Sequence, residues 1–279
     1  MRRETVLLTA ALVFAAGVGL SLGYLLWGWP TNWYAVGVTQ LGPGPENDLI
    51  RYGRDLVIDT PRYIGRSAAE PDMRFAGNDL ACQSCHLNAG LQPFAAPFVS
   101  TFATFPMMVD DQVLTLTDRI NGCMLRSMNG KRLPDDSREM NALIAYMKFV
   151  GQGTPESVRV AGMGLRSLPA AESVPDATRG EKVYAQLCVT CHKADGQGER
   201  RTAPAVGYSV PPLWGDASFN EAAGMSKVAY AAAYIRANMP FGVNYEAPVL
   251  TVQQAWDLAA YMVSKPRPPA PADAASSLR

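Results

Sequence analysis

The chain has 279 residues, of which 48% are apolar and 18% are charged. This balance supports packed cores and excludes global disorder, and the length is typical of about two domains. Lysine plus arginine equals aspartate plus glutamate at 25 each, so the chain lacks the basic excess that nucleic-acid binding demands, and no nucleic-acid partner is expected.

The chain begins with two arginines and a long apolar run. Residues 5–29 carry no charge, and a run of that length can span a bilayer. Trp27 and Trp29 stand at its far end, where an aromatic belt lies, and the arginines favour a cytoplasmic N-terminus. We therefore predict a membrane anchor over residues 1–30, with a cleaved signal peptide as the alternative. The prediction makes the protein a single-pass inner-membrane protein whose remaining domains face the periplasm.

Helical periodicity divides the rest of the chain into two similar units. Each unit has an opening helix, a C-x-x-C-H motif and a closing helix. The motifs are offset by 188 − 82 = 106 residues, which indicates a tandem duplication. The predicted segments are a linker (31–46), a first domain (47–150), an interdomain connection (151–176), a second domain (177–264) and a disordered tail rich in Pro, Ala and Ser (265–279).

The two histidines of the chain, His86 and His192, each directly follow a C-x-x-C pair. One helical turn places two thiols where they can add to the haem vinyl groups and leaves the next histidine as the proximal iron ligand. A zinc site needs four ligands, and a thioredoxin-type site does not need the trailing histidine. The sequence therefore predicts two covalently bound haem c groups, attached through Cys82, Cys85, Cys188 and Cys191.

This order of elements resembles class I cytochrome c, in which the first and last helices cross. The resemblance implies that a glycine of the opening helix meets an aromatic residue of the closing helix. Gly53 with Tyr146, and Gly180 with Trp256 or Tyr261, fit that pattern, although each glycine could also be an ordinary weak point of a helix. The expected fold class is all-α, with two tandem class I cytochrome c domains behind an N-terminal transmembrane helix.

No histidine remains to complete either iron, so the sixth ligands must be other residues. For the second haem, Met239 is favoured, because it lies 239 − 192 = 47 residues after His192 and a proline follows it. Met225 is the alternative. A thioether ligand raises the haem potential, which suits a haem from which electrons leave the protein.

Cys123 is the one cysteine outside the two motifs, and it is a candidate ligand of the first haem. Its rivals are Met107, Met108, Met124 and Met128. A free cysteine can also be a small buried hydrophobe. Cations and hydrogen-bond donors crowd this segment, which would lower a thiol pKa and attract an oxyanion; they are Arg119, Asn121, Arg126, Ser127, Asn129 and Lys131. From the residues alone, both roles of Cys123 stay open.

The segments around the first motif and Cys123 resemble the dihaem thiosulfate dehydrogenases that form tetrathionate. The likeness covers roughly residues 45–265 and is carried by 81–90, 118–124, 126–130, 211–215 and 238–240. It implies His86 and Cys123 as axial ligands of haem 1, and His192 and Met239 as those of haem 2. It also implies a substrate site at Arg119 and Ser127, with Gln83 and Asn88 as weaker contributors.

The resemblance implies that two thiosulfates are joined, or that a related sulfur oxyanion reacts. Two electrons would pass from haem 1 to haem 2 and on to another cytochrome c or a membrane oxidase. One position departs from the family pattern: Val109 stands where a further arginine is expected, and Asp110 and Asp111 follow it. Acids facing the site would weaken dianion binding. The alternatives are a non-catalytic, membrane-anchored electron shuttle for a respiratory dehydrogenase or oxidase, and a different sulfur-compound oxidoreductase.

Overall fold

A computed structural model describes residues 37–154, 160–243 and 245–272. The predicted anchor at residues 1–30, most of the predicted linker and residues 273–279 lie outside these ranges. Within the described ranges, no helix has both the length and the apolar character needed to cross a membrane.

The first half of the described chain contains six helices and one hairpin. Its opening helix starts with Pro45 in the first helical position and has Glu46 and Asp48 in the first turn, where the helix dipole favours acids. In order, the elements are α1 (Pro45–Ile58), α2 (Thr60–Tyr63), α3 (Leu87–Gly90), α4 (Thr101–Thr104), β1 (Met107–Val109), β2 (Gln112–Leu114), α5 (Leu116–Arg126) and α6 (Arg138–Val150).

The second half repeats the opening and closing helices. Its elements are α7 (Ala177–Leu187), α8 (Val189–His192), β3 (Glu199–Arg200), β4 (Tyr208–Val210), α9 (Val228–Asn238) and α10 (Val252–Val263). A capping box of Thr251 and Gln254 starts α10, as one of Thr115 and Asp118 starts α5. The fold is mostly helical, but the all-α expectation misses two small antiparallel pairs, β1–β2 and β3–β4.

The opening and closing helices of each half cross at a glycine. A Cβ on Gly53 would overlap the Ala142 carbonyl of α6 and crowd Tyr146, so only glycine permits the crossing of α1 and α6. A Cβ on Gly180 would overlap the Asp257 carbonyl and crowd Tyr261 in the same way. The aromatic partner in the second half is therefore Tyr261, whereas Trp256 donates its indole N–H to Pro169 O at 3.0 Å.

Two segments outside the predicted domains, the connection and the start of the tail, make backbone hydrogen bonds with the domains. The connection between the halves lies along the first one, where Phe94 N–H donates to Gly162 O at 2.7 Å and Ala96 N–H to Gly164 O at 2.9 Å. The tail was expected to be disordered from Lys265, yet Pro266 O and Pro268 O accept backbone hydrogen bonds from the second half, at 2.8 and 3.1 Å. A proline-rich composition does not prevent order when its carbonyls find donors.

Candidate functional site

The first C-x-x-C-H motif folds as a 3-10 turn over Cys82–Ser84, and His86 N–H donates to Cys82 O at 3.0 Å. The His86 ring packs on Phe98, with 4.6 Å between ring centroids. Its Nδ1 lies 2.6 Å from Ala96 O. A proton on Nδ1 donated to this carbonyl leaves Nε2 free as an iron ligand. The motif therefore presents its histidine in the tautomer that haem binding requires.

A largely apolar cavity opens over this motif. Both motif cysteines and His86 line it, and so does Cys123, which α5 contributes. Two thiols for attachment, an oriented imidazole, a sulfur donor and apolar walls are the donor set and surroundings that a covalently bound haem requires. Aliphatic and aromatic side chains form most of the wall, among them Val57, Leu80, Phe98, Phe105, Leu116, Ile120, Leu143 and Met147.

Cys123 differs electrostatically from the motif cysteines. Burial raises the pKa of Cys82 to about 11 and that of Cys85 to about 12. Burial acts on Cys123 in the same direction, but the charges of Arg119 and Arg126, together with the neighbouring His86, lower its pKa to about 6. The surroundings of Cys123 therefore favour the thiolate, which is the form of cysteine that binds iron.

The two predicted substrate residues lie on the same face of α5 as Cys123. Arg119 Nη1 lies 3.5 Å from Cys123 Sγ, and Arg119 and Ser127 both line the cavity. They stand four residues before and four residues after the cysteine, which is the spacing that aligns side chains along a helix. The structure thus brings Arg119, Cys123 and Ser127 together beside His86.

The other predicted contributors around the first motif fall into two groups. Met124 and Met128 are buried and line the cavity, whereas Met107 and Met108 lie in β1 and are exposed. Gln83 Nε2 donates to Ile58 O at 2.9 Å, and neither it nor the exposed Asn88 lines the cavity. Of the four methionines predicted as rivals of Cys123, only Met124 and Met128 therefore lie at the cavity.

The segment around Val109, where the sequence departs from the family pattern, forms a β-hairpin. Val109 pairs with Gln112 across β1 and β2, and Asp110 and Asp111 form the exposed turn between them. None of these residues lines the cavity. The two acids therefore do not face the site, and Arg119 is the one arginine or lysine side chain among the residues that line it.

The second motif lies at the end of α7. Cys188 N–H donates to Tyr184 O at 2.9 Å, and α8 carries Cys191 and His192. His192 Nδ1 lies 3.2 Å from Pro211 O, and burial lowers the pKa of His192 although this carbonyl raises it. A neutral, oriented imidazole beside two cysteines fits a second haem.

The predicted ligands Met239 and Met225 lie near opposite ends of α9. Met239 directly follows the helix, is half-buried, and donates its N–H to Ile235 O at 2.9 Å. Met225 lies in a 3-10 turn, Gly224–Ser226, which packs against α9. The contacts do not choose between the two sulfurs, and Met239 stays a prediction.

Sequence reasoning missed residues that the fold brings to the site. Met163 and Gly164, from the connection between the halves, line the first cavity. Nothing in the local sequence marks Met163. Arg126, by contrast, is one of the predicted cations around Cys123; it is 8% exposed and is an electrostatic neighbour of both Cys123 and Arg119.

Models of known families match both halves. Residues 177–265 match "Cytochrome c", and residues 74–155 match "SoxA/TsdA, cytochrome c domain". The chain therefore has two cytochrome c domains, a first and a second, and such domains imply covalently bound haem c.

Thiosulfate dehydrogenases are similar to the chain over most of its length. That of Thiomonas intermedia is 37% identical over 232 residues, covering 81% of this chain and 69% of the relative. That of Allochromatium vinosum is 38% identical over 247 residues, covering 86% of both. The solved structure of thiosulfate dehydrogenase TsdBA from Marichromatium purpuratum has a TM-score of 0.74 and 33% identity, over 84% of this chain. This chain spans about half of that solved chain, 49% of its length. The chain belongs to the thiosulfate dehydrogenase family of c-type cytochrome oxidoreductases.

Proposed function

We propose that the protein oxidises thiosulfate to tetrathionate at the first cytochrome domain. The observation that carries the proposal is the joint placement of Cys123 and Arg119, 3.5 Å apart, in the cavity that His86 lines. A non-catalytic electron carrier needs neither a thiolate nor a cation in its haem cavity. The names of the relatives support thiosulfate as the substrate.

Arg119 and Ser127 provide the groups that a sulfonate needs. The guanidinium of Arg119 can bind two sulfonate oxygens through its planar fork, and the Ser127 hydroxyl can donate to a third. Arg126 is buried beside them without a side-chain hydrogen bond or ion pair in the described part of the chain, so its charge adds to the positive potential at Cys123. The site therefore favours a small anion.

Cys123 supplies the nucleophile and leaving group of a balanced two-step reaction. Its thiolate forms a disulfide bond with the terminal sulfur of one thiosulfate, giving Cys123–S–S–SO₃⁻ and releasing two electrons. The terminal sulfur of a second thiosulfate then attacks the outer sulfur of that disulfide. Tetrathionate leaves and the Cys123 thiolate is restored, so the net reaction joins two thiosulfates with loss of two electrons.

The two covalently bound haems supply one-electron acceptance in this scheme. Cys82, Cys85 and His86 would hold haem 1 with Cys123 as the sixth ligand, and Cys188, Cys191 and His192 would hold haem 2 with Met239. A basic thiolate lowers a haem potential and a thioether raises it, so electrons would run from haem 1 to haem 2. They would leave to another cytochrome c or a membrane oxidase.

The proposal includes the place of the protein in the cell. The apolar run at residues 5–29 supports an inner-membrane anchor, with both cytochrome domains in the periplasm. Covalent haem attachment outside the cytoplasm agrees with that location. The domain limits of 47–150 and 177–264 remain part of the proposal.

Steady-state oxidation of thiosulfate by the purified dihaem protein, with an artificial electron acceptor, tests the reaction. We expect one tetrathionate for every two electrons transferred. Replacing Arg119 by Gln should raise KM about 10- to 100-fold, because a charge-assisted contact to the sulfonate is lost. Intact haems without any tetrathionate would instead support the electron shuttle, which the missing cation at Val109 favours.

A further inference from the structure

The helix that carries Cys123, α5, ends in a stretch whose backbone carbonyls need outside partners. The last four carbonyls of any helix lack partners within it. Cys123 O accepts from Ser127 N–H at 2.8 Å, and Met124 O accepts from Gly130 N–H at 2.9 Å. The next two carbonyls, of Leu125 and Arg126, receive no such bond from the described residues of the first domain.

Asn220 of the second domain satisfies both carbonyls. Its side-chain Nδ2 donates to Leu125 O at 2.9 Å, and its backbone N–H donates to Arg126 O at 3.1 Å. Asn220 is 1% exposed, so water cannot replace these bonds. Its Oδ1 accepts from Ala222 N–H at 3.1 Å, which fixes the amide orientation within its own domain. The second domain therefore caps the C-terminal end of α5.

A second pair of contacts holds the residues that follow α5. Asn78, also 1% exposed, donates through Nδ2 to Ser127 O at 2.9 Å and to Ser218 O at 3.3 Å. Asn129 Nδ2 donates to the same Ser218 O at 2.6 Å. The Ser127 carbonyl, through Asn78, and the Asn129 side chain are thus both tied to one carbonyl of the second domain.

The same segment of the second domain reaches the other haem motif. The fully buried Ser218 donates through Oγ to Pro212 O at 3.0 Å, and Pro211 O lies 3.2 Å from His192 Nδ1. Residues 211–220 therefore join His192 to the C-terminal end of α5 through hydrogen bonds that are buried or half-buried. Asn78, Ser218 and Asn220 do not themselves line the cavity.

We propose that the 211–220 segment positions the active-site helix, with Asn220 and Asn78 as positioning residues for Cys123 and Ser127. This inference rests on the proposed function and adds a second task to the second domain. Besides carrying electrons away, the second domain completes the substrate site of the first. Helix ends fray when their carbonyls lack partners, so loss of these bonds would let Ser127 move and would loosen Cys123 one turn earlier.

Replacement of Asn220 by Asp tests the proposal in the full-length dihaem protein. The substitution keeps the oxygen that accepts from Ala222 and removes the donor to Leu125 O, so it targets the contact between domains. We expect the low-spin spectrum of haem 1 to change while that of haem 2 does not. kcat/KM for thiosulfate should fall about 10- to 100-fold, as for a misplaced catalytic group.

Asn78→Asp is the equivalent change in the first domain. It removes the side-chain donor to Ser127 O and Ser218 O but keeps the oxygen that accepts from Leu80 N–H at 3.3 Å. The half-buried Asn129→Asp is a milder variant that tests the Ser218 contact if the buried variants do not fold. Asn141→Asp is the control, because it removes a side-chain donor to Asp136 O in the first domain, at 3.2 Å, on an exposed surface. The control should leave both haem spectra and the activity unchanged.

The spectra of the two haems test the positioning role independently of tetrathionate formation. A change at haem 1 alone supports the positioning role even if the wild-type protein makes no tetrathionate. Wild-type spectra and wild-type kcat/KM in folded Asn220→Asp and Asn78→Asp proteins would overturn it. Equal changes at both haems would also overturn it, since they would indicate general loosening of the fold.

Discussion

The two cytochrome domains share one scaffold but differ on the open side of the histidine. In both, the opening helix crosses the closing helix at a glycine, Gly53 or Gly180, against a tyrosine. In both, the proximal histidine faces a backbone carbonyl, at 2.6 Å for His86 and 3.2 Å for His192. In the first domain, α5, the helix before the closing helix, brings Cys123 and Arg119 to the cavity. The second domain has no corresponding cysteine.

Haem attachment and reactivity therefore depend on different parts of a cytochrome domain. The crossed helices and the motif are the parts that the two domains share, and they serve to hold a haem in either one. Reactivity depends on what the chain places opposite the histidine.

Replacing Cys123 by Met should have the largest effect. The variant keeps a sulfur opposite His86 but loses the thiolate, so we expect turnover to fall at least about a thousandfold. The spectrum of haem 1 should become like that of haem 2, with haem 2 unaltered. An unchanged haem 1 spectrum would show that Cys123 only packs in the cavity wall. Met124 and Met128 would then be the remaining predicted iron ligands of haem 1.

Replacing Met239 by Leu should affect the second domain and leave the first unchanged. Loss of the thioether should change the haem 2 spectrum and slow steady-state turnover about tenfold or more, because electron exit is impaired. Rapid mixing should still show reduction of haem 1 by thiosulfate. Met225→Leu is the matched control, and a change of haem 2 in that variant alone would make Met225 the ligand.

Replacing the glycine at the helix crossing should lower the stability of either domain by a similar amount. Gly53→Ala and Gly180→Ala each force a Cβ against a backbone carbonyl, which we expect to destabilise the domain concerned by about 1–3 kcal/mol. Thermal unfolding followed at each haem spectrum measures the effect. Gly42→Ala, where no atom lies within 4 Å of the added Cβ, should leave both transitions in place.

The smallest expected effect concerns acid stability. Burial alone would raise the pKa of Asp257, but its paired hydrogen bonds with Arg179, both 2.8 Å, outweigh this and lower it. A carboxyl whose pKa is lower in the folded state stabilises the fold above its unfolded pKa, about 3.9. That stabilisation is lost as the pH falls through the lower folded value.

Asp257→Asn should therefore make the stability of the second domain less dependent on pH below about 4. The first domain joins its crossed helices differently, through Tyr52 Oη donating to Glu139 at 3.0 Å, and serves as the internal reference. Equal changes in the acid transitions of both haems would contradict the assignment to this ion pair.

The sequence was sufficient where a feature is local. The C-x-x-C-H motifs and the helices α1, α6, α7 and α10 follow from spacing within one element. The pairing of Gly53 with Tyr146 was implied by the resemblance to class I cytochrome c. The neighbours of Cys123 on α5 are also local, so Arg119 and Ser127 could be found from helical periodicity and family resemblance.

The sequence was insufficient where distant segments meet. Asn220 contacts Leu125 across 95 residues, and neither position carries a pattern that pairs them. The ordered stretch at 265–272 was missed because composition does not show that Gly215 and Glu221 offer backbone donors to it. The sequence also does not show whether Asp110 and Asp111 point toward the cavity, because their direction depends on the geometry of the turn. In the structure, the turn of the hairpin exposes both side chains to solvent.

The loop after His86 has a consequence for the energetics of electron transfer. Asn88, Ala89, Phe94 and Ala96 all have positive φ, between 48° and 58°, which L-residues adopt at a cost of about 1 kcal/mol or more each. Such a backbone persists only where its surroundings fix it, here through the bonds of Phe94 and Ala96 to the connection between the domains. The imidazole of His86 is therefore held in one orientation, and we expect it to move little when the iron gains or loses an electron. The reorganisation energy of haem 1 would then arise mainly on the Cys123 side, where we propose that thiosulfate reacts.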